Sequence, residues 1–204
     1  YIRIKKKYGC LLMIDEAHSF GTIGPRGLGV RDHFGFDGSE VDIWMGTMSK
    51  SLAAMGGWVA GREELIMYLR YTTPGFVFAA GIPPTLGQAA LSSLNLMLEE
   101  PERVEKLQSN SDFFFKELKK RGLNTGPAAG ESPVVPVITG DSMQALQLSE
   151  ILLEKGVNAK PIIYPAVPED AARLRFFLSS THSEEQLLRT AELIEETLND
   201  IRNA

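Results

Sequence analysis

Three short apolar runs, CLLMID (10–15), VDIWMGT (41–47) and GWVAG (57–61), restrict the fold of this chain more than any other feature. Each has the length of a β-strand, and none alternates cleanly between apolar and polar residues. Such runs predict strands buried on both faces, in a sheet covered by helices. Helical segments follow them. Residues 62–72 carry helix formers, TLGQAALSSLNLMLEE (85–100) follows Pro83-Pro84, and the charged stretch 102–121 is amphipathic and stops at Gly122. The segment TTPGFVFAAGIPP (72–84) reads as a loop. Farther on, SPVVPVITG (132–140), VNAKPII (157–163) and ARLRFFLSS (172–180) read as strands, and SMQALQLSEILLEKG (142–156) as a helix. A last helix opens at Ser183 with Gln186 completing a capping box. The texture changes near residue 100, so the reading is an α/β chain with a boundary there and a small α/β unit after it.

The first strand ends in Asp15-Glu16-Ala17-His18, a tetrapeptide that also marks nucleic-acid helicases, where it holds magnesium beside ATP. A helicase needs an upstream phosphate loop and a basic surface for nucleic acid. Truncation could hide the loop, but the net charge of -5 and the absence of a basic stripe exclude a nucleic-acid partner. The run Lys5-Lys6-Lys7 reads as the polar face of a helix end. A single cysteine, Cys10, excludes a disulfide framework and a Cys/His metal site, and predicts a reduced, cytoplasmic setting. No apolar run reaches the length of a membrane span. The chain opens on Tyr1 within what reads as a helix already under way, so the expectation is a piece of a longer protein whose targeting signal is not on view.

Lys50 narrows the chemistry. It follows the second strand in Thr47-Met48-Ser49-Lys50, and an unpaired ammonium next to buried strands is costly unless it reaches solvent or serves a site. An acid ending one strand and a lysine following another can share one crevice at the carboxyl edge of an α/β sheet. Pyridoxal phosphate needs both: an amine to form an imine, and a carboxylate to keep the pyridine nitrogen protonated. Unit charges about 4 Å apart interact by roughly 4 kcal/mol at an effective dielectric of about 20. That is worth about three pKa units, enough to hold the ring charged at neutral pH.

Four segments, LLMIDEAHSFGTIGPRGLG, DIWMGTMSKSLAAMGGWVAG, PGFVFAAGIPP and PAVPEDAARLRFFLSSTHSEEQL, together resemble the α-oxoamine synthases among the fold-type-I pyridoxal-phosphate enzymes. The resemblance covers essentially the whole chain as the second half of the family's length. It implies that residues 1–100 complete a large cofactor-binding domain with a mainly parallel sheet, and that residues 101–204 form the small carboxyl-terminal domain. It also implies that Lys50 carries pyridoxal phosphate, that Asp15 pairs with the pyridine nitrogen, and that His18 bonds the cofactor's phenolic oxygen. Thr47 and Ser49 would contact the phosphate, and Arg175 would hold the amino-acid carboxylate in its planar fork. Arg173 lies on the same strand face as Arg175, and alternation alone does not separate the two.

By the same resemblance the activity is condensation of a small amino acid with an acyl-CoA or other acyl thioester, usually with decarboxylation, in a homodimer. An aminotransferase or a noncatalytic regulatory relative is the alternative. The chain departs from the family at Phe78-Ala79-Ala80-Gly81, which offers no phosphate-binding hydroxyl, and at Ile162-Ile163-Tyr164, which lacks an auxiliary arginine. His33 and His182 read as structural, and Trp44 and Trp58 as core. The glycines at 21, 24, 27 and 29 shape the loop after Asp15, while Glu16 and Ala17 have no role legible in the sequence.

Overall fold

A computed structural model describes residues 1–128 and 130–203. The chain divides into two compact units at Val104/Glu105.

The first unit opens with α1 (Ile2–Tyr8), whose last turn carries Lys5, Lys6 and Lys7 and which stops at Gly9 in the left-handed conformation, φ 64°. Lys5 and Lys6 reach Asp42 (2.8 Å) and Glu40 (2.6 Å), so two of the three lysines of the basic run are paired within the chain. Asp42 also accepts from the Leu12 N–H at 2.8 Å and thereby fixes the entry to the sheet. The hydrogen bond from Lys5, with that from Leu12, holds the Asp42 carboxyl below its ordinary range.

The sheet contains β1 (Met13–Asp15), β2 (Ile43–Thr47) and β3 (Gly57–Gly61), in that order. Between β1 and β2 lies α2 (Val30–Phe34), a short helix that the sequence reading does not include. β1 and β2 run parallel, with Asp15 opposite Met45, and β2 and β3 run antiparallel, with Thr47 opposite Gly57. The antiparallel pair follows from a connection too short for a crossover helix. Then come α3 (Glu63–Thr72), α4 (Pro74–Val77) and α5 (Pro84–Glu99). α4 is a single turn inside the predicted loop, with proline in its first turn.

The expectation of strands buried on both faces fails for β1 and β3: Met13 is 53% exposed and Val59 46%. Pairing and alternation put both on the face of Asp15 and Thr47. The open face is the one that carries Asp15 and Thr47, two of the residues the sequence reading puts forward.

The second unit takes in most of α6 (Glu102–Lys120), then β4 (Val134–Ile138), α7 (Ser142–Glu154), β5 (Lys160–Ile162), β6 (Arg173–Phe177) and α8 (Glu184–Asn203). Its antiparallel sheet has the order β4-β6-β5. Fully buried Phe114, Leu118, Leu148, Leu174 and Ile194 join helices to sheet in one core. Asn110, also buried, donates to the carbonyls of Ser179 and His182 at 2.9 Å. α8 begins as the capping box predicts: Ser183 N–H donates to Gln186 Oε1 (3.0 Å) and Gln186 N–H to Ser183 Oγ (3.2 Å).

Candidate active site

Because β1 and β2 are parallel, their carboxyl ends lie on one edge of the sheet, where open α/β folds bind ligands. Asp15 ends β1 there and is exposed; its Oδ1 accepts the Ala17 N–H at 2.8 Å, which leaves Oδ2 outside this bond. His18 follows on the same edge and is exposed too. On the neighbouring strand Thr47 ends β2, and its hydroxyl lies 2.7 Å from that of Ser49. Lys50 is exposed at the start of a turn closed by Ala53 N–H to its carbonyl (3.0 Å) and Ala54 N–H to the Met48 carbonyl (2.8 Å). Ala53 sits in the left-handed region at φ 49°, a costly conformation for alanine beside a candidate functional lysine. One edge therefore gathers a carboxylate, an imidazole, an amine and two hydroxyls, and a phosphorylated pyridine aldehyde calls for such an amine and carboxylate.

Glu16 is the residue that the sequence does not explain. Alternation turns it from Asp15 to the opposite face, where it is 2% exposed. Its two oxygens accept the Val30 N–H at 3.1 and 3.2 Å, and Oε2 also accepts the Ser19 hydroxyl. It borders a cavity of about 340 Å³ with Phe20, Trp44 and Trp58, which none of Asp15, Thr47 and Lys50 lines. The tryptophans are half-buried on that face; Trp44 Nε1 donates to the Gly38 carbonyl at 3.1 Å, and Trp58 meets Phe20 edge-on. The only sequence signal for Glu16 was the glycine at position 29. A Cβ there would lie 2.4 Å from the Glu16 carboxylate, so glycine permits the close approach.

In the second unit, Arg173 and Arg175 both border a cleft of about 780 Å³ whose wall includes Pro136, Ile163 and Tyr164. The structure separates them where the sequence does not. Arg173 Nε donates to the Ala171 carbonyl at 2.8 Å. The Arg175 guanidinium lies 4.8 Å from the centre of the Phe177 ring, and its Nε is buried without a hydrogen-bond partner among the described residues. His182 is structural as expected, its Nδ1 accepting the Ser179 N–H at 3.2 Å; His33 lies in α2 against the ring of Phe34.

The model for aminotransferase class I and II matches residues 2–194. The chain belongs to that family. Within it, 8-amino-7-oxononanoate synthase of Symbiobacterium thermophilum is 40% identical over 91% of this chain and 47% of its own length. The Bacillus subtilis protein named 8-amino-7-oxononanoate synthase 1 is 36% identical over 98% of this chain and 50% of its own. Among solved structures, Sphingomonas wittichii serine palmitoyltransferase superposes with a TM-score of 0.91 at 29% identity, covering 99% of this chain and 50% of the other. A high-resolution structure titled as SPT with PLP internal aldimine superposes equally well, with a TM-score of 0.91 at 28% identity. Both names denote α-oxoamine synthases, the group to which the four sequence segments point, and the fold is that of fold-type-I transferases. This aminotransferase-family chain spans about half the length of the curated relatives it matches. Among its described residues, no helix is long and apolar enough to cross a membrane.

Proposed function

We propose that the whole protein condenses a small amino acid with an acyl thioester, releasing free thiol and, in the usual case, carbon dioxide. The observation that carries this reading is the parallel pairing of β1 and β2, which puts Asp15 and the Lys50 turn on one sheet edge. Pyridoxal phosphate, when bound, supplies a carbonyl that captures amines and a ring that stores the electron pair left on the amino acid's Cα. Asp15 would pair with the pyridine nitrogen and keep it protonated, since a neighbouring carboxylate favours the charged form. His18 would bond the phenolic oxygen, and the Thr47 and Ser49 hydroxyls would bond the phosphate. Lys50 Nζ would hold the cofactor's carbonyl carbon, and its amine would serve as the general base for the amino acid's Cα proton. Arg175, whose buried Nε has no hydrogen-bond partner among the described residues, would hold the amino-acid carboxylate.

We place the protein in the cytoplasm as a homodimer. Support comes from a single exposed cysteine outside any disulfide and from the exposed apolar run that includes Phe76, Phe78 and Ile82.

The test is free-thiol release by the whole protein, with glycine, alanine and serine each offered with short and long acyl thioesters. Release that depends on one amino acid and disappears in Lys50→Ala is the expected result. Unchanged release in that variant removes the mechanism, and amino-group transfer without thiol makes the protein an aminotransferase.

A further inference from the structure

We propose that Glu16 is a positioning residue whose buried carboxylate fixes the turn bearing His18 and, through Phe20 and Ser51, the loop bearing Lys50. The inference rests on reading this sheet edge as the cofactor site.

The connections are continuous. The Glu16 N–H donates to the Met45 carbonyl of β2 at 2.7 Å, which continues the parallel ladder one residue past Asp15. The Glu16 carbonyl accepts the N–H groups of Ser19 (3.2 Å) and Phe20 (3.0 Å), closing a turn around His18. Its carboxylate closes that turn a second time through the Ser19 hydroxyl, and clamps it to the start of α2 through the Val30 N–H. The next link leaves the turn. The Phe20 carbonyl accepts the hydroxyl of Ser51, the residue after Lys50, at 2.7 Å. His18 and Lys50 thus sit on two loops joined by one hydrogen bond, and Glu16 holds the first loop from beneath the sheet.

Two glycines keep these links short. Gly29, at φ 85°, admits the Glu16 carboxylate, and Gly21, also at φ 85°, lies so close that a Cβ would sit 2.3 Å from Ser51 Cβ. The chemistry of Glu16 also suits anchoring. These side-chain contacts come from donors, a hydroxyl and a backbone N–H, and a carboxylate is acceptor-only. Placed on the face opposite Asp15, it can orient the reacting groups without touching them. Small displacements of such groups are expensive in rate, about a hundredfold for 1 Å.

The experiment compares Glu16→Ala, Glu16→Gln and Ser51→Ala in the whole protein by amide hydrogen exchange, and by the pH profile of the absorbance of lysine-bound pyridoxal phosphate. Glutamine keeps an acceptor for Val30 and can donate to Ser19, so it is the conservative rescue. In Glu16→Ala, amides of both 17–22 and 49–54 should exchange about tenfold faster, with those of the second unit unchanged. The absorbance midpoint should also move. In Glu16→Gln both readouts should stay near wild type. Ser51→Ala should loosen 49–54 while leaving the Val30 amide protected, and it decides the matter if Glu16→Ala does not fold. Unchanged exchange at 49–54 in either alanine variant overturns the relay, and a pH midpoint that never moves reduces Glu16 to a purely structural residue. A wild-type protein with no lysine-dependent absorbance refutes the cofactor reading instead, while exchange still decides the role of Glu16.

Discussion

Adjacent residues at a strand end are turned to opposite faces, and Asp15 and Glu16 show what that does here. Asp15 and Glu16 are both carboxylates, yet one is exposed at the candidate site and the other is 2% exposed beneath the sheet. Arg173 and Arg175 share a face and differ instead in their bonds: Arg173 Nε is committed to Ala171, and Arg175 Nε is buried without a partner among the described residues. The proposed role predicts a split between them. Charge-assisted hydrogen bonds contribute about 1.5–3 kcal/mol, so Arg175→Ala should raise the KM for the amino acid about ten- to a hundredfold. Arg173→Ala should raise it less than about threefold. Steady-state kinetics against amino-acid concentration checks both, and equal effects would contradict the assignment of Arg175.

At the level of elements, α6 and α8 are joined through Arg121, which bonds Glu117 (2.7 Å) on α6 and lies 3.4 Å from both Glu192 and Glu195 on α8. Hydrogen bonds from Lys120 and then Arg121 hold the Glu117 carboxyl below its ordinary value of 4.5. A carboxyl depressed in the folded state contributes stability that is present above the unfolded value and lost as pH falls through the folded one. Glu117→Gln should therefore lower the melting temperature at pH 7, and the difference from wild type should shrink below about pH 4.5. Melting curves from pH 7 down to pH 3 measure this; a gap that stays constant would exclude the linkage. The glycine of β2 gives a second check. A Cβ on Gly46 would lie 2.5 Å from the Trp58 ring, and overpacking of this kind costs about 1–3 kcal/mol. Gly46→Ala should lose about that much in denaturant unfolding.

These elements also show what the sequence could carry. The strands, the long helices and the capping box at Ser183 were legible because period, turn residues and caps are local signals. The placement of Asp15 and Lys50 at the carboxyl ends of neighbouring strands was legible because the apolar runs they follow are local signals, whereas the roles proposed for His18, Thr47 and Ser49 rest on the family resemblance. Glu16 was not, because its partners Val30 and Ser19 meet it only after the glycine loop has closed. α2 and α4 were missed because helices of five and four residues leave too little periodicity to read. The burial of β1 and β3 was misjudged for a different reason. An apolar run shows that a surface needs covering, but not which part of a protein covers it.

For the whole molecule, that reason becomes an asymmetry between the two units. Among the described residues, the buried apolar side chains of the first unit are Val41, Leu52, Ala90 and Val104, whereas sixteen form the contiguous core of the second. The first unit meanwhile exposes Phe78 at 87%, Phe76 at 60% and Met13 at 53%. Burial is the main term opposing chain entropy, so the second unit holds most of what stabilises this chain. Leu174→Ala, at the centre of that core, should cost about 2–5 kcal/mol. Residues 101–204 expressed alone should unfold cooperatively, with helical circular dichroism and little binding of a hydrophobic dye. Residues 1–104 alone should bind the dye and melt without a sharp transition, and the 204-residue chain should bind pyridoxal phosphate weakly for the same reason. A cofactor titration that gave tight, Lys50-dependent absorbance in this chain would show that the exposed face needs no further covering to organise the site.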